Sequence, residues 1–125
     1  MKMKQWFAFI TLFAISFVVS ASTLDSIRIN AQQGALGTMT IGERFIYTKR
    51  FDIELNNAGE KAIDLNNICF NVYAPNGEKF NFDTVDAKLV EGSLKPNASV
   101  KGFVVFSSQN DSVYKAKFVK ISTNC

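Results

Sequence analysis

The stretch Leu94-Lys95-Pro96-Asn97-Ala98-Ser99-Val100-Lys101-Gly102-Phe103-Val104-Val105-Phe106 constrains the fold of this chain more than any other. Proline at 96 holds φ near the value that the second position of a tight turn requires, and asparagine at 97 tolerates the left-handed region that follows. The turn feeds a strand that ends in an unbroken apolar run over residues 103–106. A run without alternation has no water-facing side, so both faces of this strand are expected to be covered. It is therefore a central strand, and the residues before it must supply the sheets that bury it.

The opening of the chain has a different character. Lys2 and Lys4 precede an apolar run over residues 6–19, and Val19-Ser20-Ala21 then places small or short side chains where a signal peptidase cuts. Basic, then apolar, then small is the order of a secretory signal peptide. The run is shorter than the ~20 residues that a spanning helix needs, which sets a membrane anchor aside. Residues 1–21 are thus expected to be a cleaved signal peptide. Residues 22–125 are expected to be a single domain, periplasmic or secreted, with no membrane insertion after cleavage. Loss of Lys2 and Lys4 lowers the net charge from +3 to +1. That removes a basic balance as an argument for nucleic acid.

Two cysteines, Cys69 and Cys125, remain after the signal. An even count in an oxidising compartment points to a disulfide, and a pair so far apart in sequence suits a structural bridge better than a redox one. Closing the long loop between them is worth about 4 kcal/mol if the geometry is unstrained. Pairing of the terminal cysteine between two chains stays open.

Along the rest of the chain, period-two alternation dominates. Ile27 and Ile29 alternate with Arg28 and Asn30, the pattern of an edge strand with one buried side. Residues 32–37 hold two glycines without periodicity and read as a loop, followed by a short strand at Met39 and Ile41. Residues 44–56 alternate most clearly, with Phe45 and Tyr47, then Phe51, Ile53 and Leu55 on one side, and a bulge or bend is expected at Lys49-Arg50. Ile68, Phe70 and Val72 form the core side of the next strand. Pro75-Asn76-Gly77 marks a hairpin, with a turn longer than two residues because Pro75 limits pairing beside it. Residues 114–121 read as the last strand, with Lys115 and Lys117 on a solvated face. No helical pattern follows the signal. Seven to nine short strands predict an all-β, antiparallel sandwich, and eight phenylalanines and three tyrosines remain to fill its interior.

Several short motifs occur in a recognisable order: Asn56-Asn57-Ala58-Gly59, then Asn76-Gly77-Glu78-Lys79-Phe80, then Leu94-Lys95-Pro96-Asn97, then Val100-Lys101-Gly102-Phe103-Val104-Val105-Phe106. This order resembles small secreted bacterial immunoglobulin-like domains of the telokin-like protective-antigen type, many of them domains of unknown function. The resemblance covers residues 51–121. It departs at Asn97, where that family usually has glycine, and at the two cysteines, which suggest a distinct branch. It implies an immunoglobulin-like β-sandwich and no common catalytic site.

The chain has no histidine, which excludes histidine-based triads, metal sites and pH switches. Asp83, Asp86 and Asp111 are loop carboxylates without the spacing of a calcium loop. No catalytic, cofactor or metal residues are expected, and Cys69 and Cys125 are the only site residues assigned. The expected function is that of a non-enzymatic interaction or structural module with an unknown protein partner. It would act through an edge strand or through residues 32–38, 84–93 or 107–112. The alternative is a hydrolase or ion-dependent enzyme with an unrecognised carboxylate site. A binder should show an exposed apolar patch or open strand edge; an enzyme should show a concave pocket with converging charged groups.

Overall fold

The stretch that ends at Phe106 is a strand in the interior of a sheet, flanked by a partner on each side. In the computed structural model, which describes residues 24–123, eight strands are present. They are β1 (Ile27–Ile41), β2 (Arg44–Asn57), β3 (Ile63–Asp64), β4 (Cys69–Tyr73), β5 (Lys79–Val85), β6 (Ser93–Leu94), β7 (Ser99–Ser108) and β8 (Phe118–Ser122). Short 3₁₀ turns at Leu24–Ser26, Leu65–Asn67, Ala87–Leu89 and Asp111–Lys115 join them. Six strands form one sheet in the order β1-β2-β7-β5-β4-β8, and β3 pairs with β6 separately. Every pairing is antiparallel. The expected signal peptide, residues 1–21, lies outside the described residues. Among the described residues no helix is long and apolar enough to cross a membrane.

β7 enters from a turn of the expected kind. The Ala98 amide donates to the Lys95 carbonyl at 3.0 Å, and Asn97 has φ of 66°, the geometry of a type II turn with proline at its second position. The strand's two faces differ. Val104 and Phe106 are fully buried, whereas Phe103 and Val105 are half-buried on the other side. The apolar run is thus covered completely on the core face and partly on the outer one.

β5 passes from one neighbour to another. Residues 79–81 pair with β4, and residues 82–85 pair with β7, with a register shift between Phe82 and Thr84. The β4–β5 hairpin closes through a three-residue loop. Gly77 donates to Ala74 and Ala74 to Glu78, both at 2.9 Å, and Gly77 takes the positive φ of 92° that completes such a loop. At the far ends of the six-stranded order, β1 and β8 come back toward each other.

The core sits on the inner faces of β2, β4, β5 and β7. Phe51 and Phe106 meet edge to face with ring centroids 5.7 Å apart, and Ile53, Leu55, Phe70, Val72, Phe80, Leu89 and Val113 pack around them. Asn57, fully buried, ties three segments together. Its side-chain amide donates to the carbonyls of Lys61 (2.8 Å) and Leu94 (2.9 Å), and its side-chain oxygen accepts from the Gly59 amide at 2.9 Å. Each donor of a buried amide must find a partner, and this one does.

Three expectations are corrected. Residues 32–37 are not a loop but the middle of β1, which runs unbroken to Ile41 with a bulge between Gln33 and Leu36. Gly34 marks that bulge, and Gly37 is paired with Thr48 within the strand rather than ending it. β2 continues straight through Lys49-Arg50, because the irregularity belongs to the opposite strand. Residues 114 and 115 belong to the 3₁₀ turn Asp111–Lys115, and β8 starts at Phe118. Asn110 caps that turn by accepting from the Ser112 amide at 2.9 Å, so local capping decides the conformation where lysine spacing suggested a strand.

Candidate functional site

The most distinctive surface is made by the two longest strands. Cross-strand partners share a face, so the register of β1 with β2 sets Leu36, Thr38 and Thr40 beside Lys49, Tyr47 and Phe45 on the core side, and Met39 and Ile41 beside Ile46 and Arg44 on the other. Pairing of β2 with β7 stops at Tyr47 opposite Ser108. Beyond that point β1 and β2 continue alone as a two-stranded arm, closed at Gly42-Glu43. Gly42 has φ of 64°, the value that the first central residue of a type II′ hairpin turn takes. At about 3.3 Å per residue the arm projects on the order of 15 Å past the sheet. Its apolar side chains are in water: Ile41 is 58% exposed and Phe45 64%, and Leu36, at its root opposite Lys49, is 54% exposed.

Lys49 sits at the root of this arm and is buried, 3% exposed. Its ammonium donates to Gln33 Oε1 (2.6 Å), to the Tyr114 carbonyl (2.9 Å) and to the Ala116 carbonyl (2.7 Å), and it lies 5.4 Å from the centroid of the Phe51 ring. Three donors thus meet three neutral acceptors, joining β1, β2 and the segment after β7. Desolvation by burial holds its pKa below the ordinary lysine value, and the nearby charge of Lys117 pushes the same way. Because the folded-state value is lowered, the fold binds this proton less well than the unfolded chain does. Lys49 therefore opposes folding most below its folded-state pKa, and the cost fades as the pH rises toward 10.5. Lys49→Met is expected to destabilise at pH 7 by about 1–3 kcal/mol by stranding the acceptors. The gap from the native protein should then widen as the pH rises through the lowered folded-state value toward the unfolded one. Denaturant melts of both proteins across that range test this; a gap independent of pH would remove the linkage.

On the outer face of β1, β2 and β7 lies a polar cleft of about 390 Å³. The register sets Asn30 beside Glu54 beside Lys101, and Gln32 beside Asp52 beside Phe103. The Arg50 guanidinium lies 4.6 Å from the Phe103 ring centroid and 3.2 Å from Asp52 Oδ1. The 3₁₀ turn Ala87–Leu89 closes one side. It fits closely over β7 because residue 102 is glycine: a Cβ there would fall 2.8 Å from Leu89 Cγ.

The residues singled out in the sequence fall in different places. Residues 32–38 contain the β1 bulge and the base of the arm. Residues 84–93 cover β7 and bring Asp86 and Lys88 to the cleft, where Asp86 caps its turn by accepting from the Lys88 amide at 3.3 Å. Residues 107–112 end β7 and start the 3₁₀ turn. Asp83 lies in the β5 register shift, accepting from Thr84 Oγ1 at 3.1 Å, and Asp111 lies in the capped turn; the structure does not bring Asp83, Asp86 and Asp111 together. Among the described residues no three Asp, Glu or Cys side chains gather closely enough to hold a metal ion. Cys69 is buried on β4 opposite Ser122, its Sγ 3.2 Å from Ser122 Oγ. Cys125 lies outside the described residues.

Fold and surface together define an all-β domain whose exposed features are an apolar arm and a mixed-charge cleft. The chain belongs to the family described as Domain of unknown function (DUF4354), whose profile matches residues 1–123. It is also similar to the crystal structure of an ApaG protein from Pseudomonas aeruginosa PAO1, with 38% sequence identity and a TM-score of 0.76, over 81% of this chain and 98% of that one. No curated protein matches it.

Proposed function

We propose that this chain is an exported, non-enzymatic protein-binding module, folded as an immunoglobulin-like β-sandwich and akin to the telokin-like protective-antigen domains. It works in the periplasm or outside the cell and engages a protein partner through the β1–β2 arm. One observation carries the reading: the arm displays apolar side chains in water on both faces. A two-stranded ribbon cannot bury either of its own faces, and isolated hairpins are marginal in water, so such a surface is completed by something else. Among the described residues β1 is an edge strand, and its fifteen residues carry a single charged side chain, Arg28, which is sparse protection against strand addition.

The alternative, a hydrolase or ion-dependent enzyme, draws on the cleft, where Asp52, Glu54 and Asp86 approach Arg50, Lys88 and Lys101. Two of those carboxylates are already engaged, Asp52 by Arg50 and Asp86 by Lys88 at 3.8 Å. The two readings separate by mutation. Phe45→Ser together with Ile41→Ser should abolish cross-linked capture of a specific partner from envelope and culture-medium fractions while leaving the melting temperature unchanged. Undiminished capture by that variant would count against the arm.

A further inference from the structure

Resting on the reading above, we propose that the arm's partner is a second copy of this chain, with each arm lying in a groove of the other. The groove, of about 570 Å³ and mainly apolar, lies where the β4–β5 hairpin meets the 3₁₀ turn Asp111–Lys115. Ala74, Pro75 and Tyr114 supply its apolar surface, and Glu78, Lys115 and Lys117 supply its charges. Its Tyr114 wall is braced on the root of the chain's own arm. The Tyr114 hydroxyl donates to the Gly37 carbonyl at 2.9 Å, and the Tyr114 ring meets Tyr47 edge to face at 5.7 Å.

Two features assign the occupant. The first is continuity. Groove and arm root share Tyr114, so a two-fold axis beside that residue brings each arm to the other copy's groove, in a self-complementary interface. The second is charge. The turn at the arm tip carries an exposed acid, Glu43, and the groove is lined by two exposed bases, Lys115 and Lys117, against one acid, Glu78. Phe45, on the core-side face of the arm, therefore enters the apolar part, and Glu43 at the turn meets the lysines.

Sedimentation velocity of the purified protein, followed across a concentration series, tests this directly. The native protein should dimerise at micromolar concentration. Phe45→Ser, and separately the pair Lys115→Glu with Lys117→Glu, should each raise the dimer dissociation constant by about tenfold or more. Adding Glu43→Lys to the groove pair should recover much of that loss, since the reversed charges again oppose each other. Circular dichroism melts confirm that each variant stays folded. A native protein that remains monomeric at about 100 µM, or a dimer indifferent to Phe45→Ser, overturns the proposal. A monomeric native protein whose arm still captures a different partner overturns self-association and leaves the binding-module reading standing.

Discussion

Phe106→Ala is expected to lower the stability of the folded domain by about 3–5 kcal/mol, the range for removing a fully buried aromatic ring. Phe106 has no exposed surface and stacks edge to face on Phe51, itself fully buried. Its strand is paired on both sides, to β2 at Lys49 and to β5 at Phe82. The cavity left behind is therefore walled by three strands held in a continuous ladder, and little relaxation can fill it. Urea denaturation of native and variant proteins measures the difference. A loss under about 1 kcal/mol would mean that this part of β7 is not the centre of the fold.

Cys69→Ala is expected to cost about 4 kcal/mol under oxidising conditions and much less under reducing ones. The expectation rests on a proposed bridge from Cys69 to Cys125. Cys69 is buried beside Ser122 on the last strand, which leaves a short tail to reach it from the C-terminus. A bridge there would close a loop that contains β5, β6, β7 and β8, and so restrict most of the unfolded chain. Thermal melts with and without reductant distinguish this from simple packing, since a lost sulfur atom destabilises equally in both buffers. Coincident melting of native and variant protein without reductant would refute the bridge.

The turns and the central strand are legible in the sequence because they depend on local chemistry. Pro96-Asn97 and Pro75-Asn76-Gly77 contain the residue types that positive φ or a fixed φ demands, and the structure places Asn97 and Gly77 there. What is not legible depends on residues far away. Alternation predicts the side on which Lys49 falls but not its burial, because its acceptors on Tyr114 and Ala116 lie 65 and 67 positions later. Likewise Phe45 and Ile41 carry the pattern of buried strand residues. Their exposure follows from the point where β7 stops, which neither residue encodes. The capped turn at Asn110 is a different case, since an asparagine two residues before Ser112 is a readable start signal for a helical turn.

The order of strands also governs when the domain can form. β1, β2, β4 and β5 come from the first two thirds of the described residues, yet β7 separates β2 from β5 in the sheet. A chain that emerges from the ribosome amino end first can close its two hairpins early. It cannot join them until residue 108 has followed, and contacts between such distant segments form slowly. Between the end of β5 at Val85 and the end of β7 at Ser108 the emerging chain therefore holds two tethered ribbons without a shared interior, and β7 is the element that fuses them into one.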